Sequence, residues 1–227
     1  KLAALGEMSA AVSHELNQPL AAMKTYLAGA KLLLQRKRLD EALSSFQRID
    51  DLIGRMSAIT RQLKSYARKG GEDLVPVDVR LALNGALEIM EPQLKSRQIS
   101  LSKTFPSDPV MILGDQLRLE QVVVNLLRNA LDATSTVTAP EIELLLLGGE
   151  TATLTVRDNG DGILDFDDLF EPFFTTKKPG DGVGLGLAIS SGIVTDLGGR
   201  LVARNSETSG AVFEVTLPIL KNNNNED

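Results

Sequence analysis

The chain of 227 residues has no cysteine and no tryptophan, only 4% aromatic residues, and a single histidine, His14. Without cysteine there is neither a disulfide nor a thiolate metal site, and such a chain is compatible with a reducing compartment. One histidine argues against a histidine-built metal centre. No run approaches the roughly 20 apolar residues that cross a bilayer, and no charged, apolar and small-residue leader opens the chain. The expectation is a soluble segment with no membrane contact of its own. It starts at Lys1, inside a helical pattern and without Met, as a piece cut from a longer protein would.

What is present is unevenly distributed. The net charge is −6, yet residues 1–70 carry 12 Lys and Arg against 6 acids, so a +6 segment precedes one of −12. Asymmetry of this size marks two modules with different surfaces, and the length favours two units over one. The basic residues are scattered along the pattern without interleaved aromatics, which argues against nucleic acid as a partner.

The first module is a helical hairpin by pattern. Leu2, Leu5, Val12, Leu16, Met23, Tyr26, Ala30 and Leu33 fall on a heptad seam, with Ser9 and Pro19 at the intervening positions. In that register His14 and Gln18 lie one turn apart on the outer face, so the histidine faces solvent or a partner. Pro19 removes a backbone donor and predicts a bend beside it. From Asp40, Leu43, Phe46, Ile49, Ile53, Met56 and Leu63 recur on one helix face, after a short link at Arg36–Asp40. One hairpin buries two apolar stripes poorly, so a homodimeric four-helix bundle is the expected completion.

Beyond Lys69-Gly70-Gly71 the pattern changes class. Helices are expected over 79–97, 116–133 and 186–197, and strands over 99–104, 110–112, 141–147, 151–157, 200–205 and 211–217. This is an α+β sandwich, one sheet covered on one face by helices. The boundaries expected are 1–70 for the hairpin, 71–75 for a linker, 76–220 for the second domain and 221–227 for a disordered Asn-rich tail.

Three segments of this second domain carry chemistry. Asn125, Asn129 and Asp132 share one helix face. A neutral amide oxygen ligates Mg²⁺ without repelling a triphosphate, although polar residues at helical spacing also make an ordinary solvated face. Asp158-Asn159-Gly160-Asp161-Gly162 ends a strand, where a carboxylate accepts from an adenine amino group and glycines allow close backbone approach, or where a plain turn forms. Gly182, Gly184 and Gly186 alternate and then open a helix at Leu187, giving backbone amides for an anion with Lys177 and Lys178 nearby. Between the loops, Phe170, Phe173 and Phe174 read as core or as a mobile lid.

These pieces in this order resemble the catalytic core of bacterial sensor histidine kinases, a dimerisation and histidine-phosphotransfer hairpin followed by the ATP-binding domain shared with gyrase and the Hsp90 chaperone. The H box is at His14, the N box at Asn125 to Asn129, the first G box at Asp158 to Gly162, the F box at Phe170 to Phe174 and the second G box at Gly182 to Gly186. His14-Glu15-Leu16-Asn17-Gln18-Pro19-Leu20, Thr60 to Ser65 and Ile189 to Val194 are similar to the four-carbon dicarboxylate transport sensor kinases.

The resemblance implies autophosphorylation of His14 from ATP, with Glu15 as the base, and transfer to an aspartate of a response-regulator receiver domain. It implies that Asn125 holds Mg²⁺, that Asn129 positions phosphates and that Asp158 reads adenine. Gly160, Gly162, Gly182, Gly184 and Gly186 then approach the nucleotide, and Lys177 lies near its phosphates. It also implies the cytoplasmic portion of a protein anchored in the bacterial inner membrane.

Three positions depart from the pattern. Gln18 stands where many relatives have Thr or Asn to orient water for regulator dephosphorylation. Gln121 stands where the hydrolytic ATPases carry a catalytic Glu. The stretch 163–169 is short and acidic for the approach to an F box. The rival readings are a clamp-type ATPase of the same superfold and an inactive dimeric docking scaffold.

Overall fold

A computed structural model describes residues 2–67, 74–176 and 184–220, and in its first two helices it describes side chains only at 16–54, 56, 57 and 60. The expected tail and most of the expected linker lie outside the described residues. The chain divides into two compact units, residues 1–68 with 175–185, and residues 69–174 with 186–227.

In the first unit, α1 (Leu2–Gln35) and α2 (Leu39–Ala67) form an antiparallel pair. The turn needs a left-handed residue, taken by Lys37 at φ 61°, and the Arg38 guanidinium then pairs with Glu41 in the first turn of α2, where acids suit the helix dipole. The helix α1 runs on through Pro19. Among the described seam residues Pro19 and Ala30 are buried and Leu16, Met23, Tyr26 and Leu33 half-buried, as a heptad requires, while Gln18 is exposed. The α2 face differs from expectation. Ala42 is buried, but Leu43 is 65% and Ile53 50% exposed. Two helices cover only a narrow seam, and small residues at closest approach take it. Arg48 fastens the pair by donating to the Tyr26 hydroxyl at 3.0 Å while lying 5.5 Å from its ring centroid.

The second unit contains β1 (Val75–Asp78), α3 (Val79–Ser96), β2 (Ser100–Thr104), β3 (Met111–Gly114), α4 (Gln116–Ala133), β4 (Glu141–Leu147), β5 (Thr151–Asp158), α5 (Gly186–Asp196), β6 (Arg200–Asn205) and β7 (Ala211–Pro218). The strands form two sheets instead of the single one expected. Five order as β2-β4-β5-β7-β6, with only β2 and β4 parallel, while β1 and β3 pair separately. An isolated bridge from Ile112 to Ile219 links the small sheet to the segment after β7.

Alternation in β4 and β5 sends Ile142, Leu144, Leu146, Ala152, Leu154 and Val156 inward. Against them lies α4, which packs in turn on α3, and the buried stripes of the two helices include Leu83, Met90, Leu119, Val123 and Leu126. Both helices start on aspartate caps. Asp78 accepts from the Arg80 amide, and Asp115 from the amides of Leu117 and Arg118. Burial would raise the Asp78 carboxyl, but hydrogen bonds from the Arg80 side chain and from the Arg80 and Val110 amides hold it below its ordinary value. Arg118 also reaches Asp196 of α5 at 2.6 Å, tying the two helices that flank the site.

Candidate nucleotide site

The inward alternation of β5 ends on a carboxylate. Ala152, Leu154 and Val156 are followed at the same phase by Asp158, which is 3% exposed and is the only buried acid among the described residues. Its Oδ1 accepts from the Gly160 amide at 2.8 Å and the Ala211 amide at 3.2 Å. Burial pushes this carboxyl above its ordinary value against the pull of those two amides, and Asp161 pushes it the same way. Both described bonds end on Oδ1, so Oδ2 is the oxygen left to meet a ligand donor.

The loop after Asp158 is shaped by neighbours. Gly160 passes so near the end of α4 that a Cβ there would lie 2.4 Å from the Ala133 carbonyl oxygen. Asn159, beside the catalytic-looking aspartate, is structural. Its amide nitrogen donates to the Ala139 carbonyl, and its oxygen accepts from the Glu141 amide, both at 2.8 Å.

Asn125 sits on the buried face of α4 at 7% exposure. Its Nδ2 donates to the Gly186 carbonyl at 3.2 Å and to Ser190 Oγ at 3.3 Å, and Ser190 donates to the same carbonyl at 2.8 Å. The N-box asparagine is therefore bonded to the first turn of α5, where the second glycine loop becomes helix. With its nitrogen committed, the amide presents Oδ1 as a neutral oxygen, a donor that suits a hard cation sharing phosphate ligands. Among the described residues no group of three or more His, Cys, Asp or Glu gathers to hold a metal. Of the four buried polar residues among those described, Asn125, Thr134, Asp158 and Ser190, three carry the candidate nucleotide chemistry or bond to a residue that does. Buried polar groups are costly unless partnered, and this is where the fold concentrates them.

Asn129 and Asp132 are half-buried along the same helix, and Asp132 lies 3.8 Å from Arg97 at the end of α3. Gly162 and Gly184 have φ of 76° and 67°, and Phe173 takes φ 69°, strained for an aromatic residue. Phe170 and Phe174 are half-buried and Leu187 likewise. Lys177 and Gly182 lie outside the described residues. So do the side chains of His14 and Glu15, whose backbone is helical within α1. The structure thus brings Asn125 together with Gly186, adding Ser190, and brings Asp158 together with Gly160, adding Gly210, Ala211 and, through Gly162 and Ile163, Asn205. No single-residue signal marked those additions, because Asn205 and Gly210 read as an ordinary hairpin turn and Ser190 as a helix-surface serine.

Residues 4–72 match the family His Kinase A (phospho-acceptor) domain, and residues 114–221 match Histidine kinase-, DNA gyrase B-, and HSP90-like ATPase. The C4-dicarboxylate transport sensor protein DctB of Pseudomonas aeruginosa is 41% identical over 96% of this chain and 36% of its own length. DctB of Rhizobium meliloti is 39% identical over 96% of this chain and 35% of its own. The chain thus spans little more than a third of the length of these relatives. Among solved structures, histidine kinase ThkA in complex with response regulator protein TrrA superimposes with TM-score 0.76 over 96% of this chain and 63% of that one at 23% identity, a likeness of fold. A phospho-acceptor hairpin joined to an ATPase-type domain, with this sequence similarity, makes the chain a member of the sensor histidine kinases, similar to those of C4-dicarboxylate transport.

Proposed function

We propose that the chain phosphorylates itself on His14 from ATP and passes the phosphoryl group to an aspartate of a response-regulator receiver domain. The observation that carries the nucleotide half is Asp158, a buried carboxylate with one oxygen anchored by two backbone amides and the other available to an adenine amino group. Such an acceptor is oriented before the ligand arrives, which is how a site converts binding into position.

In this reading Asn125 Oδ1 is the protein ligand for Mg²⁺, which when bound neutralises charge on the phosphates. Asn129, Lys177 and the amides of Gly182, Gly184 and Gly186 orient the phosphate chain. A ring nitrogen of His14 attacks the γ-phosphorus. The phosphorus–nitrogen bond forms as the bond to the bridging oxygen breaks, and ADP leaves with that electron pair. Glu15 takes the imidazole proton.

Hydrolysis as the main activity is disfavoured by Gln121, since an amide is a poor base for water. The neighbouring Glu120 does not replace it. Its carboxylate accepts from Gln116 at 2.9 Å and lies over Gly85, on the α3 side of α4. Gln18, exposed one turn beyond His14, has an amide able to orient water, which supports a weaker phosphatase activity toward the regulator.

We assign residues 1–70 as the dimerisation and phosphotransfer hairpin and 76–220 as the catalytic domain, working as a homodimer through the exposed hairpin leucines. The cytoplasmic side of a membrane-anchored sensor is the corresponding location. No described helix is long and apolar enough to cross a membrane. The test is incubation with γ-labelled ATP and Mg²⁺. Acid-labile, alkali-stable label that His14→Gln abolishes supports the reading, and ATP hydrolysis indifferent to that change would replace it with a clamp-type ATPase.

A further inference from the structure

The strands β6 and β7 close on the pair Asn205 and Ala211, which face each other in register. Both residues of this last rung also reach the loop that follows Asp158, one through its backbone amide and the other through its side chain. The Ala211 amide donates to Asp158 Oδ1 at 3.2 Å. The Asn205 side chain bonds the backbone of Ile163 twice, accepting from its amide at 2.7 Å and donating to its carbonyl at 3.0 Å. One end of the loop 158–163 is thereby held by each member of the rung.

The turn between them is built to the same tolerance. Gly210 takes φ 81°, and a Cβ on it would stand 2.0 Å from the Asp158 carbonyl oxygen and 2.7 Å from Oδ1. A Cβ on Gly162 would meet Asn205 Oδ1 at 2.9 Å. The Ser206 amide closes the turn on the Gly210 carbonyl at 2.9 Å. Arg157 reaches across to Thr208 at 2.7 Å, fastening the turn to β5 just before Asp158.

Resting on the adenine-acceptor reading of Asp158, we propose that Asn205 is a positioning residue for the nucleotide. With Gly210 and Ala211 it forms a clamp that fixes the loop 158–163 and hence the direction of the free Asp158 oxygen. An asparagine is suited to this because its amide offers a donor and an acceptor in one plane, matching the carbonyl and amide of a single residue as a strand would. The clamp also sets where the chain departs at Ile163 toward the phenylalanine segment. None of the N, G and F boxes named above includes this turn, which lies 47 residues after Asp158 at its first anchoring member.

The test measures affinity for a fluorescent ATP analogue with Mg²⁺ on the whole chain, together with the unfolding midpoint without nucleotide and amide hydrogen exchange at Ile163. Asn205→Ala should weaken binding about tenfold, as loss of about one well-made hydrogen bond would, with faster exchange at Ile163 and a midpoint close to wild type. The Michaelis constant for ATP should rise in autophosphorylation with kcat little changed. Asn205→Asp keeps the acceptor for the Ile163 amide but loses the donor, and should fall between. Asp158→Asn serves as the control. Normal affinity in Asn205→Ala while Asp158→Asn loses ATP would overturn the clamp alone. Affinity lost only in step with a collapsed midpoint would assign Asn205 to folding and overturn it too. Normal binding by Asp158→Asn would remove the adenine reading and the clamp with it.

Discussion

In the hairpin the buried aliphatic side chains among the described residues are small, Ala30 and Ala42, while leucines such as Leu39 and Leu43 are 61% and 65% exposed. In the second unit the fully buried side chains include many large ones, among them Leu83, Met90, Leu126, Leu144 and Leu154. A helix pair is one layer and has no inside, whereas a sheet covered by helices encloses a volume from which water is excluded. The contrast fits the chemistry proposed for each unit. The proposed phosphoryl acceptor, which must meet both a nucleotide and a second protein, suits an exposed helix face, and the heptad register of the sequence puts His14 on one. The proposed recognition of a purine by a carboxylate suits the low-dielectric, preorganised end of a central strand, where Asp158 sits.

The largest expected effect separates the two chemistries. His14→Gln should remove the acid-labile label altogether while a fluorescent ATP analogue binds as before, because the residues proposed to hold the nucleotide, from Asn125 to Leu187, do not include the nucleophile. Loss of nucleotide binding in that variant would break the division.

Next comes the stability cost of the buried acid. Asp158→Asn should weaken ATP binding by roughly 100-fold, since an amide nitrogen then faces the adenine amino group and a charge-assisted bond is gone. The unliganded protein should nevertheless be as stable as wild type or more so at pH 7. The folded Asp158 titrates above its unfolded value, so its favourable contribution is present below the ordinary carboxylate range and is lost as pH rises through the raised value. The stability advantage of the variant should therefore shrink as pH falls into that range, checked by thermal unfolding across a pH series.

A third measurement addresses the incomplete layer. Leu43→Glu with Phe46→Glu places charge on the exposed face of α2, and sedimentation should show a dimer dissociation constant raised at least about 100-fold. The catalytic unit should keep its own unfolding transition, because its core owes nothing to that face.

The smallest effect tests local helix chemistry within the second unit. Asp115→Ala removes the acceptor for two first-turn amides of α4, and should lower stability by about 1 kcal/mol in denaturant titration without changing the label on His14.

Much of this organisation was legible beforehand for identifiable reasons. The span of α4 follows from its apolar periodicity after the capping Asp115, and β4 and β5 follow from strict alternation ending in turn residues. Asp158 was legible as the carboxylate at the end of that alternation. The separation of β1 and β3 into their own sheet was not legible, since pairing partners 33 to 39 residues apart leave no trace in local pattern. The same holds on α2, where periodicity marked Leu43 and Ala42 took the seam. Periodicity finds an apolar face, but closest approach between two helices selects its small residues.

The sequence by itself determined the division into a basic helical part and an acidic mixed part, the single candidate phosphoryl acceptor at His14, and the order of the nucleotide segments, because these depend on composition, period and residue chemistry along the chain. Only the tertiary structure decided that Asn125 spends its nitrogen on Gly186 and Ser190, that Gly160 is required by Ala133, and that Asn205 and Ala211 hold the two ends of the loop after Asp158. Hydrogen-bond partners within about 3 Å are set by where the sheet and helices bring distant backbone together, and that proximity is a property of the fold, not of any local run of residues.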